Sequence, residues 1–148
     1  MIAIGSRDAF ERYGIKAYHS AMPNGERRFR LVDRDGCGYV RTEAGQEGAW
    51  QKSHLHRTMR ETYIVQSGWI AIALLKGADN LEIKVFKVGD IWTTPPEVAH
   101  NVYMPSGAVT HVVKHGRNVL DDWVTNADTE LLDQLSKSLT EEALRSAS

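Results

Sequence analysis

Between Arg27 and His115 the apolar residues fall in short runs interleaved with polar ones, and turn residues break the runs at close intervals. "RFRLVD" and "GYVRTE" come first, punctuated by Gly36, Gly38 and Gly45. "TYIVQ", "WIAIALL" and "LEIKVFKV" follow, bounded by "SG", "KGADN" and "GD". "IWTTPPEVAHNVYM" and "AVTHVVKH" close the series, divided by "PSG". Short runs rich in β-branched and aromatic residues, set off by turn residues, read as strands. Many such strands at regular spacing predict an all-β antiparallel sandwich or barrel rather than a βαβ sheet.

The two ends are patterned differently. Ser6 can cap a short helix through Tyr13, with Gly14 as its left-handed stop, so residues 1–26 are expected to form an N-terminal docking arm. The barrel is expected over 27–118, and a helical segment over 119–148. There Leu131, Leu135 and Leu139 recur at helical spacing, which predicts a face packed on the barrel and capped by Asn126 or Asp128. "SLTE" has the capping-box signature and restarts a helical turn at Ser138. With 148 residues the chain builds one core and has too little length for two.

Composition narrows the class without naming a chemistry. Apolar residues make up 42% and charged residues 25%, with a net charge of −1, so nothing favours a nucleic-acid partner. The single cysteine, Cys37, allows no intrachain disulfide, and Gly36 and Gly38 make it a turn or bulge residue rather than a nucleophile. No apolar run approaches the roughly 20 residues that span a bilayer. "MIAIGSRDAFERYG" lacks the basic start and apolar core of a signal peptide. A cytoplasmic protein without a membrane partner is expected.

The candidate chemistry lies in "HLHRTMRE", residues 54–61. Alternate side chains of a strand share a face, so His54 and His56 project together and can meet one cation; two histidines on a solvent face fit the same pattern. Glu61 has the wrong parity to join them on one continuous strand. It joins them only if "RTMR", which holds neither Gly nor Pro, connects two strands.

The wider frame, "GAWQKSHLHRTMRETYIVQSG", places Gly48, His54, His56, Glu61 and Gly68 at the spacing G-x5-H-x-H-x4-E-x6-G. This resembles the first motif of the cupin superfamily. The second, G-x5-P-x-G-x2-H-x3-N, is resembled by "GDIWTTPPEVAHNVYM", in which Gly89, Pro95 and His100 fall in place. Glu97 stands where the family has glycine, which bears on the loop before His100. Met104 stands where it has asparagine, which makes that pocket wall more apolar.

The resemblance implies a cupin-type antiparallel barrel, a double-stranded β-helix or jelly roll. It implies His54, His56, Glu61 and His100 as ligands of one divalent transition metal ion, with Fe, Mn, Ni, Co or Zn all compatible with such donors. It further implies a small-molecule ligand and either a metal-dependent enzyme or a non-catalytic binding or sensing protein. Small cupins commonly dimerise by pairing or exchanging edge strands, and "RRFRLVD" is the candidate edge for a homodimer.

Parity extends the pocket. Counted back from the histidines, Lys52 and Trp50 turn inward; counted on from Glu61 and His100, so do Tyr63, Val65, Val102 and Met104. Lys52 could meet a substrate carboxylate or phosphate, or reach out at the barrel mouth. Trp50, Tyr63 and Trp92 read first as core. Arg57 and Arg60 flank the turn, either steering an anion or simply solvated. His111 and His115 share one strand face and are acid/base candidates, leaving Lys52, Tyr63 and His111 as the candidate catalytic side chains.

Overall fold

The computed structural model describes residues 3–77, 80–116 and 122–147. The expected runs become strands in the expected places: β2 (Arg27–Val32), β3 (Gly38–Glu43), β6 (Met59–Ser67), β7 (Trp69–Lys76), β8 (Asn80–Lys87), β9 (Ile91–Thr93), β10 (His100–Met104) and β11 (Val109–Gly116). Four more complete the set: β1 (Lys16–Ala21), β4 (Ala49–Trp50), β5 (Leu55–His56) and β12 (Trp123–Val124).

All pairings among them are antiparallel. A six-stranded sheet runs β1-β2-β3-β11-β6-β9, a four-stranded sheet runs β4-β10-β7-β8, and β12 pairs with β5. The two larger sheets bury a shared interior. Val40, Tyr63, Val65 and Val112 from the first meet Ile70, Ile72, Leu74, Val102 and Met104 from the second, with Trp92 packed at the margin. Tyr63, Val65, Val102 and Met104 therefore face inward as parity predicts.

The N-terminal arm is more than an arm. Its helix α1 (Ser6–Tyr13) ends at Gly14 in the left-handed conformation, but Gly5, not Ser6, is the N-cap. β1 then pairs along the whole of β2, so "RRFRLVD" is an interior strand and β1 is the edge. The exposure of β1 leaves it without a strand signature in the sequence. Lys16, Ala17, Tyr18, His19 and Ala21 are all exposed, leaving no alternation to see.

At the other end α2 (Ala127–Lys137) is capped by Asn126 in a reciprocal pair of hydrogen bonds with Thr129. Its buried face is Thr129, Leu132 and Ser136, not the Leu131–Leu135–Leu139 stripe. Two of these three residues are polar: Thr129 serves the Asn126 cap, and Ser136 bonds the sheet, its Oγ accepting from Asn101 Nδ2 at 3.0 Å. Ser138 ends α2, and Thr140 caps α3 (Glu141–Ser146), two residues beyond the expected restart. Leu132 and Leu144 pack with Trp50, Ala71, Ala73 and Tyr103 on the outer side of the four-stranded sheet. No helix among the described residues is long and apolar enough to cross a membrane.

Candidate metal centre

β5 ends at His56 and β6 begins at Met59, so the connection is only Arg57 and Thr58. That short reversal puts Glu61 back beside the histidines and resolves its parity. A turn without Gly or Pro needs outside support, and Asp122 supplies it. Its carboxylate accepts the backbone N–H groups of Arg57 (3.1 Å), Thr58 (3.0 Å) and Met59 (3.0 Å). Burial raises the Asp122 carboxyl, but these donors and the nearby His56 outweigh it and hold the group below its ordinary range.

His100 opens β10 and bridges to His54 through the backbone, N–H to carbonyl in both directions at 2.9 and 3.1 Å. The loop before it keeps the shape a glycine would allow. Glu97 takes φ +61, the one non-glycine in the left-handed region among the described residues, and its N–H donates to the His56 carbonyl at 2.6 Å. The departure from the motif thus leaves the loop intact at the cost of backbone strain.

The ring orientations are set from behind. His54 Nδ1 lies 3.0 Å from the Lys52 carbonyl and His100 Nδ1 lies 3.0 Å from that of Val98. A carbonyl only accepts, so each Nδ1 carries the hydrogen and each Nε2 keeps a lone pair. His56 Nδ1 sits 3.3 Å from Asp122 Oδ2. The three Nε2 atoms converge on the Glu61 carboxylate, at 3.8 Å from His54 and 3.5 Å from each of His56 and His100. One donor atom from each of the four lies within 4.8 Å of the others, and all four residues are buried.

This set fits a metal ion. His56 Nε2 and His100 Nε2 are buried without a hydrogen-bond partner, a cost that three aimed imidazole lone pairs and a carboxylate recover by binding a cation. The electrostatics agree. Burial, reinforced by His100, holds the His54 imidazole down to about 4 against the pull of Glu61, so it is neutral and ready to ligate. Burial works against the Glu61 charge, yet the Lys114 ammonium and the three imidazoles keep its carboxyl well below the ordinary range.

Of the candidate catalytic side chains, only Tyr63 touches the cluster. Its hydroxyl donates to Glu61 Oε2 at 2.8 Å, and burial beside that carboxylate pushes its pKa well above normal. Lys52 is exposed rather than inward, its Nζ 5.4 Å from the Trp123 ring centroid. Trp50 also escapes the barrel interior, packing edge-on against Tyr103 beneath the C-terminal helices. Residues 51–53 form no strand, so counting by twos across them fails. His111 lies on the outer face of its sheet, bonded to Tyr39 Oη (2.6 Å) and Gln66, and His115 on that face bonds Thr62. Arg57 and Arg60 are exposed, and the Cys37 thiol donates to the Gly116 carbonyl.

Lys114 takes the place that His111 vacates. It pairs across the strands with Glu61, and its Nζ reaches Glu61 Oε1 at 2.7 Å. The adjacent cross-strand row reads Arg30, Val40, Val112, Tyr63, which turns Arg30 inward with them; Arg28 follows two residues back on the same face. Arg28, Arg30 and Lys114 line a chamber of about 70 Å³ with Gln51, His54, Glu61 and Tyr63. A larger trough of about 470 Å³ adjoins it, walled by Met22, Pro23, Trp50 and Trp123 together with Asn24, Lys52, Asp133 and Lys137, with Arg28, Gln51 and His54 lining both. The parity of "THVVKHG" held the signal for Lys114, since His111 and His115 outward means Val112 and Lys114 inward. No local signal marks Arg28, Arg30 or Asp122.

No family model matches the sequence, and no curated protein matches it. Solved structures do. The oxalate decarboxylase of Bacillus subtilis superimposes with a TM-score of 0.60 at 13% identity, over 90% of this chain but only 37% of that one. An RmlC-like cupin from Shewanella frigidimarina superimposes with a TM-score of 0.56 at 21% identity, over 72% of this chain and 88% of that one. The CENP-C cupin domain of Drosophila melanogaster gives 0.53 at 13% identity, over 68% and 71%. At such identities a likeness speaks for the fold and not for the chemistry. The fold of this chain is that of a small cupin domain.

Proposed function

We propose that this protein is a metal-binding cupin that acts as a metal-dependent enzyme on a small anionic molecule. The observation that carries the reading is the convergence of three buried Nε2 atoms on one buried carboxylate, two of them without any other partner. His54, His56, Glu61 and His100 would hold one divalent transition metal ion. Bound there, it would supply Lewis acidity or a site for dioxygen chemistry.

The chain's own residues do the rest. Lys114 bonds one Glu61 oxygen and Tyr63 the other, and Asp122 Oδ2 lies 3.3 Å from His56 Nδ1. Arg28, Arg30 and Lys114 make the chamber cationic, which suits a carboxylate or sugar-acid substrate. The likeness to an oxalate decarboxylase is compatible with this reading.

A second reading, a non-catalytic ligand-binding or sensing cupin, draws on the same chamber. His111 and Lys52 lie outside it, Lys114 is engaged by Glu61, and the Tyr63 phenol is held protonated, so none of these described side chains stands in the chamber as a free general base.

Elemental analysis tests the metal reading, on protein purified without chelator or metal-affinity resin and after reconstitution with each candidate ion. The expected result is about one ion per chain, lost in His54→Ala and His100→Ala. Wild-type protein that takes up none refutes the proposal. Turnover or dioxygen uptake by loaded protein then separates the enzyme from the binding module.

A further inference from the structure

Not all the charge in the chamber is accounted for. Arg28 is spent on Glu26, with Nε and Nη2 at 2.9 and 2.6 Å from one buried carboxylate oxygen. Lys114 is spent on Glu61. Among the described residues the direct partners of Arg30 are neutral: Nη1 donates to Ser20 Oγ at 2.6 Å, Nη2 approaches the Met22 thioether at 3.8 Å, and the guanidinium lies 5.1 Å from the Tyr18 ring centroid, while Glu26 and Arg28 act on it only through space. No carboxylate among the described residues forms an ion pair with it. Burial correspondingly weakens its hold on the proton. A half-buried guanidinium with neutral partners, beside a cluster built for a dication, leaves an excess of positive charge that an anion would neutralise.

The spaces define the rest of that anion. About 70 Å³ admits a head group and little more. The adjoining trough of about 470 Å³ is walled chiefly by apolar surface, with Trp123 at its mouth 47% exposed. One face of Trp123 stacks on His54, with ring centroids 5.3 Å apart at 23°, so the indole is held in place and offers a firm apolar edge. Single apolar residues are often exposed, but one pinned to a candidate ligand and lining the largest recess beside the cluster is placed to be covered.

We infer that the substrate is a small carboxylate with a flat apolar body, its head anchored by the Arg30 guanidinium beside the metal cluster and its body lying in the trough against Trp123, Met22 and Pro23. The inference rests on the metal-site reading for its setting. Its content, that Arg30 is the anion anchor and Trp123 the body contact, is tested separately. Arg30 suits a carboxylate because a planar guanidinium can meet two oxygens with two parallel N–H groups. Lys52, with its ammonium near the Trp123 ring, stands at the entrance and would attract the anion without holding its head.

The test uses phenylacetate, phenylacetamide, acetate and benzylphosphonate as probes, titrated calorimetrically into the full chain, metal-loaded and metal-stripped. Phenylacetate is expected to bind at least roughly tenfold more tightly than the isosteric amide. Arg30→Gln abolishes that acid–amide gap and Arg30→Lys restores part of it, while thermal melts show all variants folded. Trp123→Leu weakens phenylacetate and leaves acetate unchanged.

An acid–amide gap that survives in Arg30→Gln overturns the anchor. Acetate binding as tightly as phenylacetate overturns the apolar body, and benzylphosphonate binding more tightly than phenylacetate overturns the carboxylate assignment. If elemental analysis finds no metal in protein that still shows an Arg30-dependent gap, the metal reading fails while the anchor stands.

Discussion

β10 is buried on both faces, and the two faces treat their polar groups in opposite ways. Toward the helices, Asn101 is saturated: its amide donates to Ser136 and, at 3.4 Å, to Asp133, and its carbonyl accepts from the Val102 N–H. Tyr103 beside it donates to Glu141 at 2.7 Å. Toward the barrel, one residue before Asn101, His100 keeps its Nε2 buried and unpartnered. On this strand the polar groups toward the helices are closed off within the chain, and the one left open points into the cluster that converges on Glu61. The same contrast singles out Arg30 against Arg28.

The helix face should govern stability and the barrel face metal content. Leu132→Ala is expected to cost about 4 kcal/mol in urea unfolding, since the side chain is fully buried, while folded molecules keep their metal. His100→Ala should weaken metal binding by roughly two orders of magnitude or more, with a far smaller change in the unfolding free energy of metal-free protein. If Leu132→Ala strips metal as thoroughly as His100→Ala, the division between the faces is false.

Acid should act on the barrel face of the metal-free protein. Well above pH 6.5 the His54 imidazole is neutral whether the chain is folded or unfolded. Between there and about 4 the unfolded chain takes up a proton that the folded one refuses, so stability falls as the pH drops. His54 alone accounts for about 3 kcal/mol over that window, to order of magnitude, with Glu61 adding to the loss at lower pH. Urea titrations of chelator-treated protein at pH 7 and 4.5 measure it. Equal midpoints would show that the cluster is not buried neutral.

The smallest effect sits where the second motif departs from the family. Glu97→Gly should raise stability by about 1 kcal/mol, because glycine takes φ +61 without strain. Metal affinity should not change, since Glu97 offers only its backbone N–H to the His56 carbonyl. A destabilised Glu97→Gly would mean that the Glu97 side chain contributes more than the strain takes away.

Most strands were legible in the sequence because alternation is a local property, whereas the tetrad was legible only through the resemblance to the two cupin motifs, His100 lying on a strand distant in sequence from the other three. What escaped depends on register between distant strands. Arg28 and Arg30 look like solvent-facing residues in "RRFR" until β2 is aligned on β3, where they oppose Thr42 and Val40. Lys114 becomes a site residue only when β11 is set against Glu61. Lys52 and Trp50 were misplaced by carrying strand parity through residues 51–53, which Asp133 holds in another shape by accepting the Ser53 N–H at 3.1 Å. On α2 the leucine stripe was the louder pattern, yet the hydrogen bonds of Ser136 and Asp133 to Asn101 choose the buried face.

Asp122 and Asp133 tie the centre to distant parts of the chain. The stretch that bears two histidines of the tetrad is held by carboxylates far along the sequence: Asp133 bonds Ser53 across 80 positions, and Asp122 clasps the turn after His56, its bond to Arg57 spanning 65. Placement of those histidines is therefore a product of long-range loop closure, not of the two-residue strand that carries one of them.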